Sequence, residues 1–259
     1  MSGTIGRLRR FAATQLGLDP AKGLAALLRF PRYVLHWSRF RRNYRGPMEL
    51  MPCLHDADTE SAGLDDEYFL QDLYVARLIQ AAAPQKHVDV GSRVDGFVAH
   101  VASFREIEVF DIRPVSKAIP GIVFRKADLM REQEQFADYA DSVSCLHALE
   151  HFGLGRYGDP LDAAGFEKGL KALSRLLTPG GILYLSVPVG RERVIFNAHR
   201  VVSPQKLRAM CNANGLRLQS LACVTAGELR ELPADDLETL ETLDYALAIG
   251  TFRKENVQR

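Results

Sequence analysis

His147, Glu150 and His151 recur at i, i+3 and i+4 in the string His-Ala-Leu-Glu-His. On a helix that spacing gathers three proton-exchanging side chains on one face. Two chemistries use such a set. His-x-x-Glu-His is a zinc-peptidase pattern, which needs a third protein ligand and a long helix around the motif. Gly153, Gly155 and Gly158 follow at once and would break that helix, so no metal site is assigned. The other chemistry is proton transfer. An imidazole changes charge near neutral pH, so His151 can take a proton from a hydroxyl or amine, with Glu150 holding it or the acceptor. A plainer role for His151, orienting a loop at a strand end, stays open.

A second group of residues suits a nucleotide. In His-Val-Asp-Val-Gly-Ser-Arg-Val-Asp-Gly-Phe, residues 87–97, Asp89 lies near the end of an apolar strand and Gly91 begins the turn. Glycine lets the main chain approach a ligand with no Cβ in the way, and the following helix start offers N–H groups. Asp111 stands twenty residues after Gly91, the spacing at which a carboxylate accepts both hydroxyls of a ribose; its competing role is to cap a turn. Asp128 occurs in Lys-Ala-Asp-Leu, and the loop Gly-Leu-Gly-Arg-Tyr-Gly-Asp-Pro, residues 153–160, carries Arg156 and Tyr157. An arginine there is available for a carboxylate or phosphate. Asn197 and His199 follow the fifth strand on the same side and are expected to reach the acceptor pocket, with His199 grouped with His151 and Glu150 as catalytic.

These residues need strands to hold them. Apolar runs at 87–90, 107–110, 122–125, 142–146 and 182–187 alternate with helical patterns, which is α/β grammar. Thr178-Pro-Gly-Gly181 makes a turn before the fifth. Leu216 to Val224 and Tyr245 to Phe252 close the sheet as a final pair. Ser203-Pro204 supplies an N-cap and a first-turn proline for a helix running to about Ala213. The acidic run from Glu228 to Asp244 reads as a solvated helical face. The fold class is thus α/β: a Rossmann-like, doubly wound, mostly parallel seven-stranded sheet with an N-terminal helical extension.

In this order, Asp-Val-Gly, an acidic strand end, Ala-Asp-Leu, Leu-Glu-His and Leu-Thr-Pro-Gly-Gly resemble the class I S-adenosylmethionine-dependent methyltransferases. The resemblance covers residues 86 to 252. Within that superfamily, Gly-Ser-Arg-Val-Asp-Gly and Leu-Glu-His-Phe-Gly-Leu-Gly-Arg-Tyr-Gly-Asp-Pro look like a small, uncharacterised domain family. The resemblance implies S-adenosylmethionine as cofactor, held by Asp89, Gly91, Arg93, Asp111, Asp128 and His147, with Asp128 on the adenine amino group. One departure matters. Methyltransferases of this class usually carry a second glycine two places after the first, where this chain has Arg93. Arg93 either pairs bidentately with the cofactor carboxylate or fills the space and excludes the cofactor. Gly96 would restore close approach one turn later, and Asp95 would hold Arg93 or the ligand ammonium. Methyl transfer is the activity implied; a non-catalytic binding module that has lost the cofactor site is the alternative. Arg156, Tyr157 and Asn197 suit a small polar or glycan-like acceptor.

Charge is unevenly spread. Residues 1–46 hold ten Lys/Arg and one acid, Asp19, for +9, while the remainder carries −8. A basic arm on an acidic body follows. Tyr33, Trp37, Phe40 and Tyr44 keep helical spacing, so this arm either lies in an anionic membrane interface, suiting a lipid-linked acceptor, or packs its aromatics on the core. The expected organisation is a basic amphipathic helical arm at 1–46, a helical lead-in at 47–85 and a Rossmann-like methyltransferase domain at 86–259. A nucleic-acid substrate is disfavoured by the acidic body and by the absence of an Asn/Asp-Pro-Pro-Tyr/Phe signature. Charged residues or proline interrupt every apolar run well short of the roughly twenty residues of a membrane span, and no signal peptide is read. Cys53, Cys145, Cys211 and Cys223 show no paired or metal spacing and read as free thiols. A cytoplasmic location is expected, peripheral on the inner face of a membrane if the arm binds lipid.

Overall fold

Five apolar segments line up as the parallel part of one sheet in the computed structural model, which describes residue 12 and residues 16–55, 67–131, 133–234, 236 and 238–256. They are β1 (His87–Val90), β2 (Ile107–Asp111), β3 (Ile122–Lys126), β4 (Ala140–Leu146) and β5 (Leu177–Val189). The eight-stranded sheet has the order β3-β2-β1-β4-β5-β10-β8-β9. Its last members are β8 (Leu216–Thr225), β9 (Glu228–Leu232) and β10 (Ala246–Lys254). β10 runs antiparallel between β5 and β8, and β9 is antiparallel to β8. Strand order reverses direction between β1 and β4, both paired parallel. In open α/β sheets the crevice outside the strand C-termini at such a switch point is where ligands bind.

The α/β class, the mostly parallel sheet and the N-terminal helix are as the sequence predicts, with one strand more. That strand is β9, placed in the acidic run read as a helical face; among the described residues of that run only Glu238–Glu241, α6, is helical. Ala226 and Gly227, with φ of 51° and 76°, make the two-residue turn whose twist matches a hairpin. Leu229 and Leu232 then face Val224 and Leu221 across the ladder. Three residues apart, they point to opposite faces of the strand and pack on the two different cores, and this packing rather than charge decides the segment. The expected turn at Thr178–Gly181 interrupts β5: the register jumps from Ala140↔Leu177 to Ser142↔Ile182.

Both faces of the sheet are covered, as a parallel sheet requires. One core packs α4 (Gly165–Leu176) and α5 (Pro204–Ala213) through Phe166, Leu170, Leu173 and Leu207 onto Val88, Val143, Leu183 and Ala248. The other packs α2 (Glu67–Ala82), through Val75 and Ile79, with Phe97, Val101, Val109, Leu146 and Ile249. Ala248 and Ile249 show the strand alternation directly, each serving the opposite core. Ser203 accepts from Lys206 N at 3.3 Å, the N-cap expected of α5.

Residues 1–63 and 64–259 form separate compact units. In the first, α1 (Pro20–Asn43) starts where the Asp19 carboxylate accepts from Ala21 N at 3.0 Å and ends on Arg41 and Arg42, which suit the helix dipole. No residue of α1 is buried. Among the described residues no helix is long and apolar enough to cross a membrane. Cys145, Cys211 and Cys223 are buried, Cys53 is exposed, and all four are free.

Candidate active site

A cavity of about 270 Å³ opens at the C-terminal ends of β1, β2, β3 and β4, lined by Gly91, Asp111, Asp128 and His147 among others. Gly91 has φ +73°, and a Cβ added there would meet the Ala148 Cβ at 3.1 Å. Glycine is what lets the chain turn between these two strand ends. Asp89 does not reach the cavity, contrary to expectation. It is fully buried, accepts from Ser92 Oγ and Ser144 Oγ at 2.6 Å each and from Ser92 N at 3.0 Å, and thereby fixes the turn. Burial raises its pKa to about 6 against those hydrogen bonds. Ser144 also meets Nε2 of the buried His87 at 3.1 Å, linking the carboxylate to a polar chain inside the sheet.

Arg93 turns its fork onto Asp95, with Nε to Oδ1 at 3.1 Å and Nη2 to Oδ2 at 3.0 Å. Its guanidinium carbon stands 5.4 Å from the Tyr68 ring centroid on the cavity wall. Gly96 has another function than the expected approach to a ligand. Its missing Cβ leaves space for the buried Asp72, whose Oδ2 would lie 2.6 Å from that atom. The wide helical turn Val94–Val98 is kinked at Gly96 and leads into the short helix α3 (Ala99–Ala102).

Asp111 faces the cavity and is held on one side by Arg113, which donates Nη2 to Oδ2 at 2.7 Å and Nε to Oδ1 at 3.1 Å. Arg113 N also donates to Oδ1 at 2.8 Å, which fills that oxygen and leaves one acceptor site, on Oδ2, for a hydroxyl. Arg113 also lies 4.4 Å over the Tyr157 ring. Asp128 accepts from Met130 N at 3.0 Å, pairs with Arg131 at 3.3 Å and lines the cavity together with Ile112, Leu129 and Met130. An apolar slot between two carboxylates suits a flat heterocycle on a sugar.

His147, Glu150 and His151 sit on a tight turn, not on a helix: only Leu149–His151 is helical, as a single 3₁₀ turn, and His147 has φ +52°. They still converge. His147 Nδ1 meets Glu150 Oε1 at 2.8 Å, and its Nε2 lies 3.3 Å from Glu67 Oε1 on α2. Its ring stacks on Tyr68 at 4.5 Å. Burial alone would depress this imidazole, but the two carboxylates hold its pKa up at about 9. Glu67, pushed up by burial, is held lowered by His147 and Tyr245. His147 is therefore a charged cavity wall at neutral pH.

His151 has the opposite environment. Its Nδ1 donates to Ala198 O at 2.6 Å, which leaves Nε2 as the acceptor of a neutral ring. Burial, aided by the charge of Arg156, lowers its pKa despite Glu150. Glu150 is fully buried, its Oε2 without a hydrogen-bond partner among the described residues. Arg156 donates to the same Ala198 carbonyl at 2.9 Å. Asp159 gathers the glycine loop, accepting from Gly153 N at 2.8 Å, Gly155 N at 3.1 Å and Tyr157 N at 3.1 Å. Buried Arg200 ties the turn below, donating to Phe152 O at 2.6 Å and Glu150 O at 3.2 Å.

The structure thus brings Gly91, Arg93, Asp111, Asp128, His147, His151, Arg156 and Tyr157 around one cavity. Glu150 stands behind the two histidines. Asn197 and His199 do not line the cavity. The segment after β5 folds into a hairpin, β6 (Arg193–Ile195) and β7 (His199–Val201), with Asn197 exposed at its tip and His199 edge-on to Tyr245 at 6.3 Å. The backbone carbonyl between them, of Ala198, is what engages the site. Tyr68, Arg113 and Asp159 were not predicted as site residues. Arg113 could have been suspected two places after Asp111; Tyr68 carries no local signal.

The family model described as "Caenorhabditis protein of unknown function, DUF268" matches residues 117–221. No curated protein matches the chain. Among solved structures, the 1,6-didemethyltoxoflavin-N1-methyltransferase of Burkholderia thailandensis, bound to 1,6-didemethyltoxoflavin and S-adenosylhomocysteine, is similar at 14% identity and a TM-score of 0.50, over 92% of each chain. The N-methyltransferase NodS from Bradyrhizobium japonicum WM9 is similar at 14% identity and a TM-score of 0.51, over 76% of this chain and 100% of that one. At that identity the likeness concerns architecture, and the fold of this chain is the Rossmann-like fold of class I S-adenosylmethionine-dependent methyltransferases.

Proposed function

We propose that this protein transfers a methyl group from S-adenosylmethionine to a small polar or glycan-like acceptor. The observation that carries the reading is the placement of Asp111 and Asp128 at the ends of β2 and β3, flanking an apolar slot that Gly91 opens at the switch point of this fold. The residues present fit such a cofactor: Asp111 would accept a ribose hydroxyl, Asp128 the adenine amino group, and Arg93 the amino-acid carboxylate through the N–H groups that its pairing with Asp95 leaves. Arg93 does not argue for a lost site, because its side chain is drawn to Asp95 and the cavity of about 270 Å³ lies open beside it.

When bound, S-adenosylmethionine supplies an electrophilic methyl on a sulfonium. The protein's part is chiefly positioning and exclusion of water, which together account for most of the rate in reactions of this type. His151, neutral and fixed by the Ala198 carbonyl, has Nε2 available to receive the acceptor's proton. His147, clamped in its protonated form by Glu150 and Glu67, is unsuited to be that base. Two neighbouring histidines with pKa values pushed apart divide the roles between them. Calorimetry with S-adenosylmethionine and S-adenosylhomocysteine tests the reading. Both should bind, and Asp111→Ala should weaken them by about 1.5–3 kcal/mol, the range for hydrogen bonds to a charged group; no binding to the wild type overturns the proposal.

A further inference from the structure

Arg156 is the one arginine of this cavity that has no carboxylate partner among the described residues. Arg93 is paired with Asp95 and Arg113 with Asp111. Arg156 instead spends one N–H on the Ala198 carbonyl at 2.9 Å and rests its guanidinium carbon 5.1 Å from the Tyr157 centroid. A guanidinium has five donors in a rigid fork, so four remain for a ligand. The side chain is also held before any ligand arrives, by a carbonyl on one side and an aromatic ring on the other. That removes part of the ordering cost that a free surface arginine would incur on binding an anion.

Its neighbours complete a subsite. Arg113 approaches the same Tyr157 ring at 4.4 Å, so two cations flank one aromatic. Tyr157 itself is fixed through its own N–H on Asp159 at 3.1 Å and meets the His151 ring edge-on at 5.4 Å. The Ala198 carbonyl accepts from both Arg156 and His151 Nδ1. The anion-seeking fork and the neutral imidazole are thus tied to a single oxygen. A ligand held by the fork has its remaining atoms beside the imidazole.

Resting on the reading of this cavity as a methyl-transfer site, we propose that the acceptor carries a carboxylate or phosphate, taken by Arg156 with Tyr157 and Arg113 at its flanks, while His151 faces the atom to be methylated. The proposal has a built-in consequence. The Arg156 charge is one of the causes that keep His151 lowered. A bound anion cancels that charge, so His151 becomes a stronger base when the acceptor is seated.

Two measurements on the full chain test this. Arginine modification by phenylglyoxal, read by peptide mass mapping, is run with inorganic phosphate, with succinate and with neither. Arg156 modification should slow several-fold with one of the two anions, phosphate alone assigning a phosphorylated acceptor and succinate alone a carboxylate. In parallel, the imidazole resonances of His151 should titrate at higher pH when that anion is present, and Arg156→Gln should remove the response. If neither anion protects Arg156 nor moves His151, the inference is wrong. S-Adenosylmethionine calorimetry on the same preparation separates the two readings. Cofactor binding without an anion response removes this inference alone, whereas an anion response without cofactor binding removes methyl transfer and leaves an anion-binding cavity.

Discussion

Glu67→Gln should change the protonation of His147 and, through it, the alkaline stability of the unit formed by residues 64–259. His147 is buried between Glu150 Oε1 at 2.8 Å and Glu67 Oε1 at 3.3 Å, and its pKa is raised to about 9. An imidazole in the unfolded chain titrates near 6.5. A folded pKa above the unfolded one means that the contribution is fully present below about pH 6.5 and is lost as pH rises through about 9. At about 1.36 kcal/mol per pKa unit, the clamp contributes on the order of 3 kcal/mol below that window. Glutamine keeps an oxygen for the Tyr245 hydroxyl, now 2.9 Å from Glu67 Oε1, but removes one of the two charges. Roughly half of the pH-dependent contribution should disappear, about 1–2 kcal/mol on the same scale. Urea unfolding of wild type and variant near pH 6 and pH 9.5 gives the double difference, in which other titrating groups cancel. A variant that loses as much stability as the wild type between the two conditions refutes the clamp, as does a wild-type His147 resonance titrating near 6.5.

Arg93→Ala should weaken S-adenosylmethionine binding several-fold in calorimetry, and Arg93→Gly should not tighten it; tighter binding by the glycine variant would mean that the arginine obstructs the cofactor. Gly96→Ala places a methyl 2.6 Å from the buried Asp72 Oδ2 and should cost about 1–3 kcal/mol, the usual range for overpacking, seen as a lower melting temperature. Helix α1 carries Arg29, Arg32, Arg39, Arg41 and Arg42 without an acid, and Leu27 and Leu28 are 72% and 73% exposed. Full-length protein should therefore sediment with vesicles rich in phosphatidylserine at low salt and be released at high salt, since each cation near such a surface is worth about 1 kcal/mol and is screened. Absence of sedimentation at low salt rejects a membrane role for α1.

The parts of the fold legible in the sequence were those whose signal is local. β2 is a short, mostly apolar run closed by Asp111, and β1 and β4 set apolar residues among polar ones directly before Gly91 and His147, so each strand and the turn after it are marked locally. The turn at Thr178–Gly181 and the cap at Ser203 are written in residue types with direct conformational meaning. β9 was hidden because its turn, Ala226-Gly227, lacks the Asn-Gly or Asp-Gly that would announce a hairpin, and because Glu228, Glu231 and their acidic successors outweighed Leu229 and Leu232 by composition. Charge describes what faces solvent and says little about which period the backbone follows.

The site divides along the same line. Gly91, Asp111 and Asp128 lie within a few residues of strand ends, so the sheet alone fixes their direction, and reading the strands placed them. Asp89, also at a strand end, is drawn inward because Ser92 and Ser144 meet it there, and Ser144 belongs to a strand some 55 residues away. Asn197 and His199 were placed by distance from β5, whereas a three-residue hairpin pairing turns the chain so that only the Ala198 carbonyl faces the site. The contrast between His147 and His151 is the sharpest case. Four residues apart in sequence and both beside Glu150, they differ because Glu67 arrives from α2 to one and Ala198 and Arg156 arrive from the far side to the other. Residue type supplied two equivalent bases; packing made one of them a fixed cation and left the other free to accept a proton, and a pH–rate profile for methyl transfer should therefore follow His151 alone.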